Sequence, residues 1–329
     1  MTSPLLSVDG LSKHFPVDSS DWLAPKQTLR AVDGVSFILG SRETLGLVGE
    51  SGCGKSTTGR LILRLIEPTA GTVRFDGQDL ATIPKEDLRR LRRSMQIIFQ
   101  DPQASLNPRH RVEDLILEPL YAQGEAPSAE LTRYAGDLLE KVGLSRRHLS
   151  RFPHEFSGGQ RQRIGIARAI APKPRLIICD EAVSALDVSV QAQVINLLQD
   201  LQDELGMSYL FIGHDLAVVR HVADTMAVMY LGRIVEMAPK DALYRQPMHP
   251  YTQALLGSVP VAHPSRRRDR KRLEGEIPSP LNPPSGCHFH PRCRFAQSVC
   301  KLEAPALRTV APGQQAACHF AEQIAAATP

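Results

Sequence analysis

The segment GESGCGKST, residues 49 to 57, carries three glycines and a lysine followed by two hydroxyl residues at the spacing of a phosphate-binding loop. Gly49, Gly52 and Gly54 let the chain turn tightly, so that backbone N–H groups approach phosphate oxygens. Glu50, Ser51 and Cys53 complete the same cradle. Lys55 brings a positive charge to the outer phosphates, and Ser56, with Thr57 beside it, offers a hydroxyl to a magnesium ion bridging two of them. Such a loop needs a strand before it and a helix after it. Leu45, Leu47 and Val48 read as a buried strand, and Leu61, Ile62, Leu65 and Ile66 recur at helical spacing.

Further along, LIICDE (176–181) is an apolar strand ending in two adjacent carboxylates, where open α/β sheets place their ligands. Asp180 and Glu181 face opposite ways on a strand, so one can join a magnesium shell while the other faces an attacking water. The apolar run RSMQIIFQDP ends with Gln100 at its tip, and SYLFIGHD puts His214 just past another strand. Ser157, Gly158, Gly159 and Gln160 open a helix, giving a second anion-facing N-terminus. Phe15 is open to two readings, stacking on an adenine ring or filling core.

These residues need a large α/β scaffold, and 329 residues suffice for one such domain plus a small appendage. No apolar run reaches the roughly 18 residues that span a bilayer, and MTSPLLSVDG lacks a signal peptide's basic and apolar regions, which predicts a cytosolic chain. The net charge of +4 is modest, and RRRDRKR at 266–272 holds six bases against one acid. That distribution argues against a broad nucleic-acid face; the run reads as a solvated linker, with an anionic contact as the alternative. Residues 5–39 form a β-rich layer in which Val35, Phe37 and Leu39 alternate, interrupted by the loop-like PVDSSDWLAPKQT. GTVRFDGQDL reads as another hairpin element. Helix formers dominate from 101 to about 151, with Leu115, Ile116 and Leu120 as core and SLNPRHR as an exposed loop. Val194, Leu197, Leu198, Leu201 and Leu205 predict the buried stripe of an amphipathic helix, and two short strands are expected about Gly232.

As a set, the motifs resemble the ATP-binding subunit of an ABC transporter: GESGCGKST the Walker A loop, Gln100 the Q-loop, FSGGQ the signature, LIICDE Walker B, SALD (184–187) the D-loop and His214 the switch histidine. Phe156 stands where leucine is usual, and Ala182 where proline is common; neither removes a chemical group. The implied fold class is a P-loop α/β ABC ATPase domain with a β-rich N-terminal layer, a helical insertion at about 101–160 and a small Cys-rich C-terminal extension. The expected boundary lies at 258/259. QIIFQDPQASLNPR, HPYTQALLGSVP and GCHFHPRCRFAQSVC narrow the resemblance to oligopeptide and dipeptide importers of prokaryotes, including relatives that import nickel.

That resemblance implies ATP and Mg²⁺ as ligands, with Ser56, Gln100 and Asp180 around the metal, Glu181 as general base and His214 on the γ-phosphate. It also implies that SGGQ of one subunit caps the ATP of another, in a pair with a related ATPase. Two permease subunits, an extracytoplasmic peptide-binding protein and a seat on the cytoplasmic face of the membrane follow, with no nucleic acid among the partners. A nickel or other small-solute importer, a soluble nucleic-acid ATPase with a zinc tail and a regulatory protein without turnover are the rival readings.

Cys287, Cys293, Cys300 and Cys318 crowd a Pro-rich tail poor in apolar residues, which suggests a piece stapled by metal. Chemistry alone leaves zinc open, because His288, His290 and His319 lie alongside. The family resemblance implies a [4Fe–4S] cluster, expected to be structural or redox-sensing and remote from the ATP chemistry.

Overall fold

The computed structural model of the protein describes residues 3–17, 27–258 and 275–326. The basic run at 266–272 and the centre of the 16–28 insertion lie outside the described residues. In chain order the strands are β1 Leu6–Val17, β2 Gln27–Leu39, β3 Thr44–Val48, β4 Ala70–Phe75, β5 Gln78–Asp79 and β6 Met95–Ile98. There follow β7 Leu176–Asp180, β8 Ser208–Gly213, β9 Thr225–Tyr230, β10 Arg233–Pro239, β11 Arg308–Ala311 and β12 Gln314–Ala316. Two compact units divide the described residues: one of those in Leu39–Thr44 and Phe75–Ile212 with those up to Leu5, the other of those in Leu6–Ile38, Leu45–Arg74 and from Gly213 on.

In the first unit β8, β7 and β6 lie side by side and parallel, with Ile98 opposite Cys179 and Cys179 opposite Phe211. Leu176, Ile177, Ile178 and Cys179 are all fully buried, as an unbroken apolar run requires when both faces are covered. The helices Val112–Tyr121 and Ala129–Lys141 lie within the stretch expected as the insertion and Gly158–Ile170 follows them, and Leu115, Ile116 and Leu120 are core as expected. Asn107 to Arg111 are exposed, again as expected. The helix Val188–Leu205 departs from its predicted stripe. Val194, Ile195, Leu198 and Leu201 are buried, Leu197 is half-buried, and Leu205 is exposed in the last turn before the left-handed Gly206. At 100° per residue Leu205 stays on the buried face, so its exposure comes from the helix ending there at Gly206, while Ile195 widens the buried face at its edge.

In the second unit β3 runs parallel to β9, which pairs antiparallel with β10; β12 and then β11 extend the sheet. A separate sheet carries β2, β1 and β4 in that order, with Val35 and Phe37 buried on its inner face. The C-terminal extension is therefore knitted in by strands, with Glu236 opposite Ala316. Its Ala316, Ala321 and Ala325 share a small core with Met248 of the preceding part, with Cys318 packed against it, where composition alone offered only a metal.

The helix after the phosphate loop is shorter than its apolar spacing suggested. It covers Lys55–Ile62, and Leu65 is exposed. Arg64 adopts a left-handed φ of 51°, its N–H donates to the Leu61 carbonyl and that of Leu65 donates to Arg60, so a Schellman turn closes the helix with an arginine in place of glycine.

Candidate functional site

The loop Gly49–Gly54 leaves the end of the fully buried strand β3 and enters the Lys55–Ile62 helix. No side chain caps that helix and its first turn holds no acid, so its N–H groups and positive dipole end remain for an anion. Gly54 has φ 107°, and a Cβ there would lie 2.1 Å from the Ala31 carbonyl oxygen, so only glycine closes the turn. The Lys55 side chain is buried. Its Nζ donates to the carbonyls of Gly49 and Glu50 at 2.9 and 3.0 Å, which holds the charge inside the cradle. Ser56 and Thr57 are half-buried at the helix start.

Two residues from the C-terminal part grip this loop. The Glu50 N–H donates to the Tyr251 hydroxyl at 3.0 Å, and the Glu50 carboxylate accepts two parallel bonds from Arg292, at 2.9 and 3.1 Å. Only 5% of the Arg292 side chain is exposed, so this bidentate pair is largely out of water. Sequence reading missed both residues, which lie 201 and 242 positions from Glu50 and match no loop motif. The expectation that the cysteine-rich tail is remote from the phosphate loop is corrected, because Arg292 lies between Cys287 and Cys293.

The first unit holds the carboxylates. Asp180 ends β7 and is buried, while Glu181 turns outward with a left-handed φ of 48°. A glutamate in that region is strained, and its N–H donation to the Ile212 carbonyl at 3.0 Å helps to fix it. The exposed Gln100 donates its side-chain amide to Glu181 Oε2 at 2.9 Å, so these two predicted site residues meet directly. The Ser184 hydroxyl donates to the Glu181 carbonyl at 3.0 Å. Ser157 caps the Gly158–Ile170 helix in a reciprocal box, its Oγ accepting from the Gln160 N–H while Gln160 Oε1 accepts from the Ser157 N–H. Gly159 permits close approach, since a Cβ would meet Val190 at 2.6 Å.

In the second unit His214 is exposed just past β8, and Asp215 caps the helix that follows. Phe15 is half-buried with the Lys13 ammonium 5.0 Å from its ring centre, so it is neither full core nor bare.

Cys287, Cys293, Cys300 and Cys318 all line one small cavity, walled by Phe289, Phe295, Phe320 and Ile324. Among the described residues no group of three or more His, Cys, Asp or Glu stands in metal-holding geometry. Burial pushes the Cys287 thiol up, Cys293 to about 11 and Cys318 to about 12, with the neighbouring sulfurs adding to the effect. His290 Nδ1 lies 3.0 Å from the Cys287 carbonyl and His319 Nε2 3.1 Å from that of Glu303. His288 is absent from the cavity lining.

Beside this cavity the helix Pro250–Ser258 starts on an unusual cap. Glu236 is fully buried and accepts the N–H groups of Met248 and His249, and His249 Nδ1 accepts that of Tyr251. Burial raises Glu236 to about 7 and lowers His249 to about 3, which keeps the imidazole neutral and able to accept. Unfolding exposes Glu236 to its ordinary 4.5, so between pH 4.5 and 7 the folded state holds the extra proton and this residue's contribution falls as pH rises. His249 works oppositely below pH 6.5, and the two slopes offset each other in wild type. Glu236→Gln removes the falling slope. Its unfolding free energy relative to wild type should therefore rise from pH 5 to 7 by on the order of 2 kcal/mol, then level off. Urea titrations of both proteins check this; a difference independent of pH would contradict it.

The sequence matches the ABC transporter family over residues 32–184 and the oligopeptide/dipeptide transporter C-terminal region over 235–300. It is 54% identical over 327 residues to the probable peptide ABC transporter ATP-binding protein y4tS of Sinorhizobium fredii (strain NBRC 101917 / NGR234), covering 99% of this chain and 93% of that one. The oligopeptide transport ATP-binding protein AppF of Bacillus subtilis (strain 168) is 52% identical over 319 residues, 96% of this chain and 97% of its own. Among solved structures, the ATP-binding cassette MJ0796, a dimer in a post-hydrolysis state bound to ADP and Pi, aligns at 26% identity and a TM-score of 0.63 over 71% of this chain and 98% of that one. The phosphate loop, the strand-end carboxylates and the matched C-terminal region lead to one assignment: the chain belongs to the ATP-hydrolysing, ATP-binding subunits of ABC transporters, in their oligopeptide/dipeptide branch.

Proposed function

We propose that this subunit hydrolyses ATP to power import of short peptides through a membrane permease pair. The observation that carries the reading is the 54% identity to a peptide transporter subunit along 327 residues, tail included. The loop amides and Lys55 bind the phosphates, and Glu181, oriented by Gln100, takes the proton of the attacking water. His214 holds the γ-phosphate side of that water. Magnesium, when bound, offsets phosphate charge; Ser56, Gln100 and Asp180 are the residues assigned to it. The Gln100 amide on Glu181 supports a role for this residue in relaying the state of the site to the base.

The capped helix start at Ser157 faces the ATP of a second, related ATPase subunit in this reading, and Phe15 stacks on the adenine. The division at 258/259 separates the catalytic domain from an extension that nonetheless shares its sheet. Exposed residues 107–111 supply a surface for the permeases. Among the described residues no helix is long and apolar enough to cross a membrane, which suits a peripheral seat on the cytoplasmic face; an extracytoplasmic binding protein selects the peptide. A strain lacking the chain should lose uptake of short labelled peptides and keep uptake of Ni²⁺. Loss of nickel uptake with peptide uptake intact would overturn the substrate assignment.

The four thiols around one cavity suit a [4Fe–4S] cluster, which spreads its ligands more widely than a single zinc ion and takes thiolates alone. His290 and His319 also line the cavity, each with one ring nitrogen on a backbone carbonyl, which leaves the other as the one a zinc ion would take, so a mixed Cys/His zinc site is the alternative that metal analysis decides. Such a cluster would staple the tail. Anaerobically purified protein should be brown, with iron and sulfide near about four each per chain. Stoichiometric zinc in a colourless protein would reject the cluster, and absence of any metal would reject the site.

A further inference from the structure

We propose that Arg292 is a positioning residue that couples the cysteine pocket to nucleotide binding, so that each site senses whether the other is occupied or intact. This rests on the reading that the Gly49–Thr57 loop binds nucleotide phosphates.

Glu50 is the second residue of the loop. Its backbone N–H is held by Tyr251 and its carboxylate by Arg292, while its carbonyl and that of Gly49 receive the Lys55 ammonium. The orientation of the Glu50 peptide thus sets where the phosphate-binding charge rests. A shift of the guanidinium would be transmitted to the loop through two parallel bonds, with little water to absorb it.

Arg292 in turn is fixed by the cysteine pocket. It closes a single 3₁₀ turn, His290–Arg292, with Cys287 before it and Cys293 directly after. The Cys287 carbonyl accepts from the His290 N–H, the Phe289 carbonyl from the Arg292 N–H, and the Cys287 N–H donates to the Cys300 carbonyl. With the Cys293 N–H donating to the His290 carbonyl, three of the four pocket cysteines belong to the backbone network that aims the guanidinium. The space between loop and pocket is filled by buried rings, with Tyr230 and Tyr251 at 4.7 Å and Phe289 5.3 and 5.4 Å from them. Packed aromatic side chains transmit displacement because no void takes it up.

Coupling between sites is reciprocal. If an ordered pocket tightens the loop, bound nucleotide must stabilise the pocket. The test uses the full chain as isolated. Labelling of Cys287 and Cys293 by N-ethylmaleimide, in the presence of a chelator selective for iron and zinc over magnesium that takes up any metal these thiols release, is followed by peptide mass spectrometry, with and without saturating MgATP, and MgADP affinity is measured by calorimetry. MgATP should slow labelling of both thiols in wild type by about fivefold or more, the lower end of usual coupling factors. In Arg292→Ala the protection should vanish and MgADP should bind about tenfold more weakly, while Arg292→Lys restores part of both. Glu50→Gln breaks the same pair from the loop side and should also lose protection, which keeps the test valid if Arg292→Ala folds poorly. A simple loss of stability would instead speed labelling while keeping or enlarging the protection, because nucleotide that binds only the folded chain suppresses labelling through unfolding. Undiminished protection in both Arg292→Ala and Glu50→Gln would overturn the proposal, as would a wild type that binds MgATP with no change in labelling. A wild type that binds no MgATP at all would instead overturn the nucleotide-site reading.

Discussion

Glu181→Gln is expected to lower steady-state ATP hydrolysis by about 10²- to 10⁴-fold while MgATP affinity stays close to wild type, because the carboxylate acts as proton acceptor and not as a phosphate ligand. The geometry sharpens the expectation. Glu181 is held at a left-handed φ of 48°, and its Oε2 already accepts the Gln100 amide at 2.9 Å. An amide at this position keeps the shape and can turn its own oxygen toward Gln100, so the backbone and the Gln100 contact survive while the base is lost. ATP should then trap the closed ATPase pair, seen as a larger species in gel filtration. Phosphate release from the assembled transporter checks the rate; activity within about twofold of wild type would contradict the assignment.

Lys55→Ala is expected to damage binding as well as rate. The ammonium is buried and makes two bonds to loop carbonyls, so its removal takes away a phosphate charge and leaves the Gly49 and Glu50 carbonyls pointing into the cradle uncompensated. A charge-assisted bond of about 1.5–3 kcal/mol corresponds to MgATP binding weakened roughly 10- to 100-fold. Nucleotide titration decides it, and unchanged affinity would mean that the phosphates lie elsewhere. The pair separates roles: Glu181→Gln spares affinity, whereas Lys55→Ala does not.

The parts of the site legible in the sequence were those made of consecutive residues. The loop, the β7 carboxylates and the Ser157 helix start each lie within one strand–turn–helix stretch, and local spacing determines their geometry. Gln100 and Glu181, 81 positions apart, were recognisable as motif members, but their hydrogen bond follows only from the pairing of β6 with β7. Arg292 and Tyr251 were invisible as loop partners. A proline-rich tail with four cysteines carries no periodicity to place it, so its strands β11 and β12 and its contact with Glu50 had no local signal. The early end of the Lys55–Ile62 helix shows the same limit: Leu65 and Ile66 keep helical spacing, and the left-handed turn at Arg64 carries no glycine to announce it.

That this subunit powers peptide import is tested by reconstituting the chain with its permease pair in proteoliposomes, ATP on the side of the ATPases, and measuring peptide accumulation and phosphate release together. Peptide uptake should require ATP, rise with hydrolysis, and disappear together with hydrolysis in Glu181→Gln. Peptide movement that persists in Glu181→Gln, or hydrolysis that never drives peptide across the bilayer, would contradict the claim that this subunit powers import.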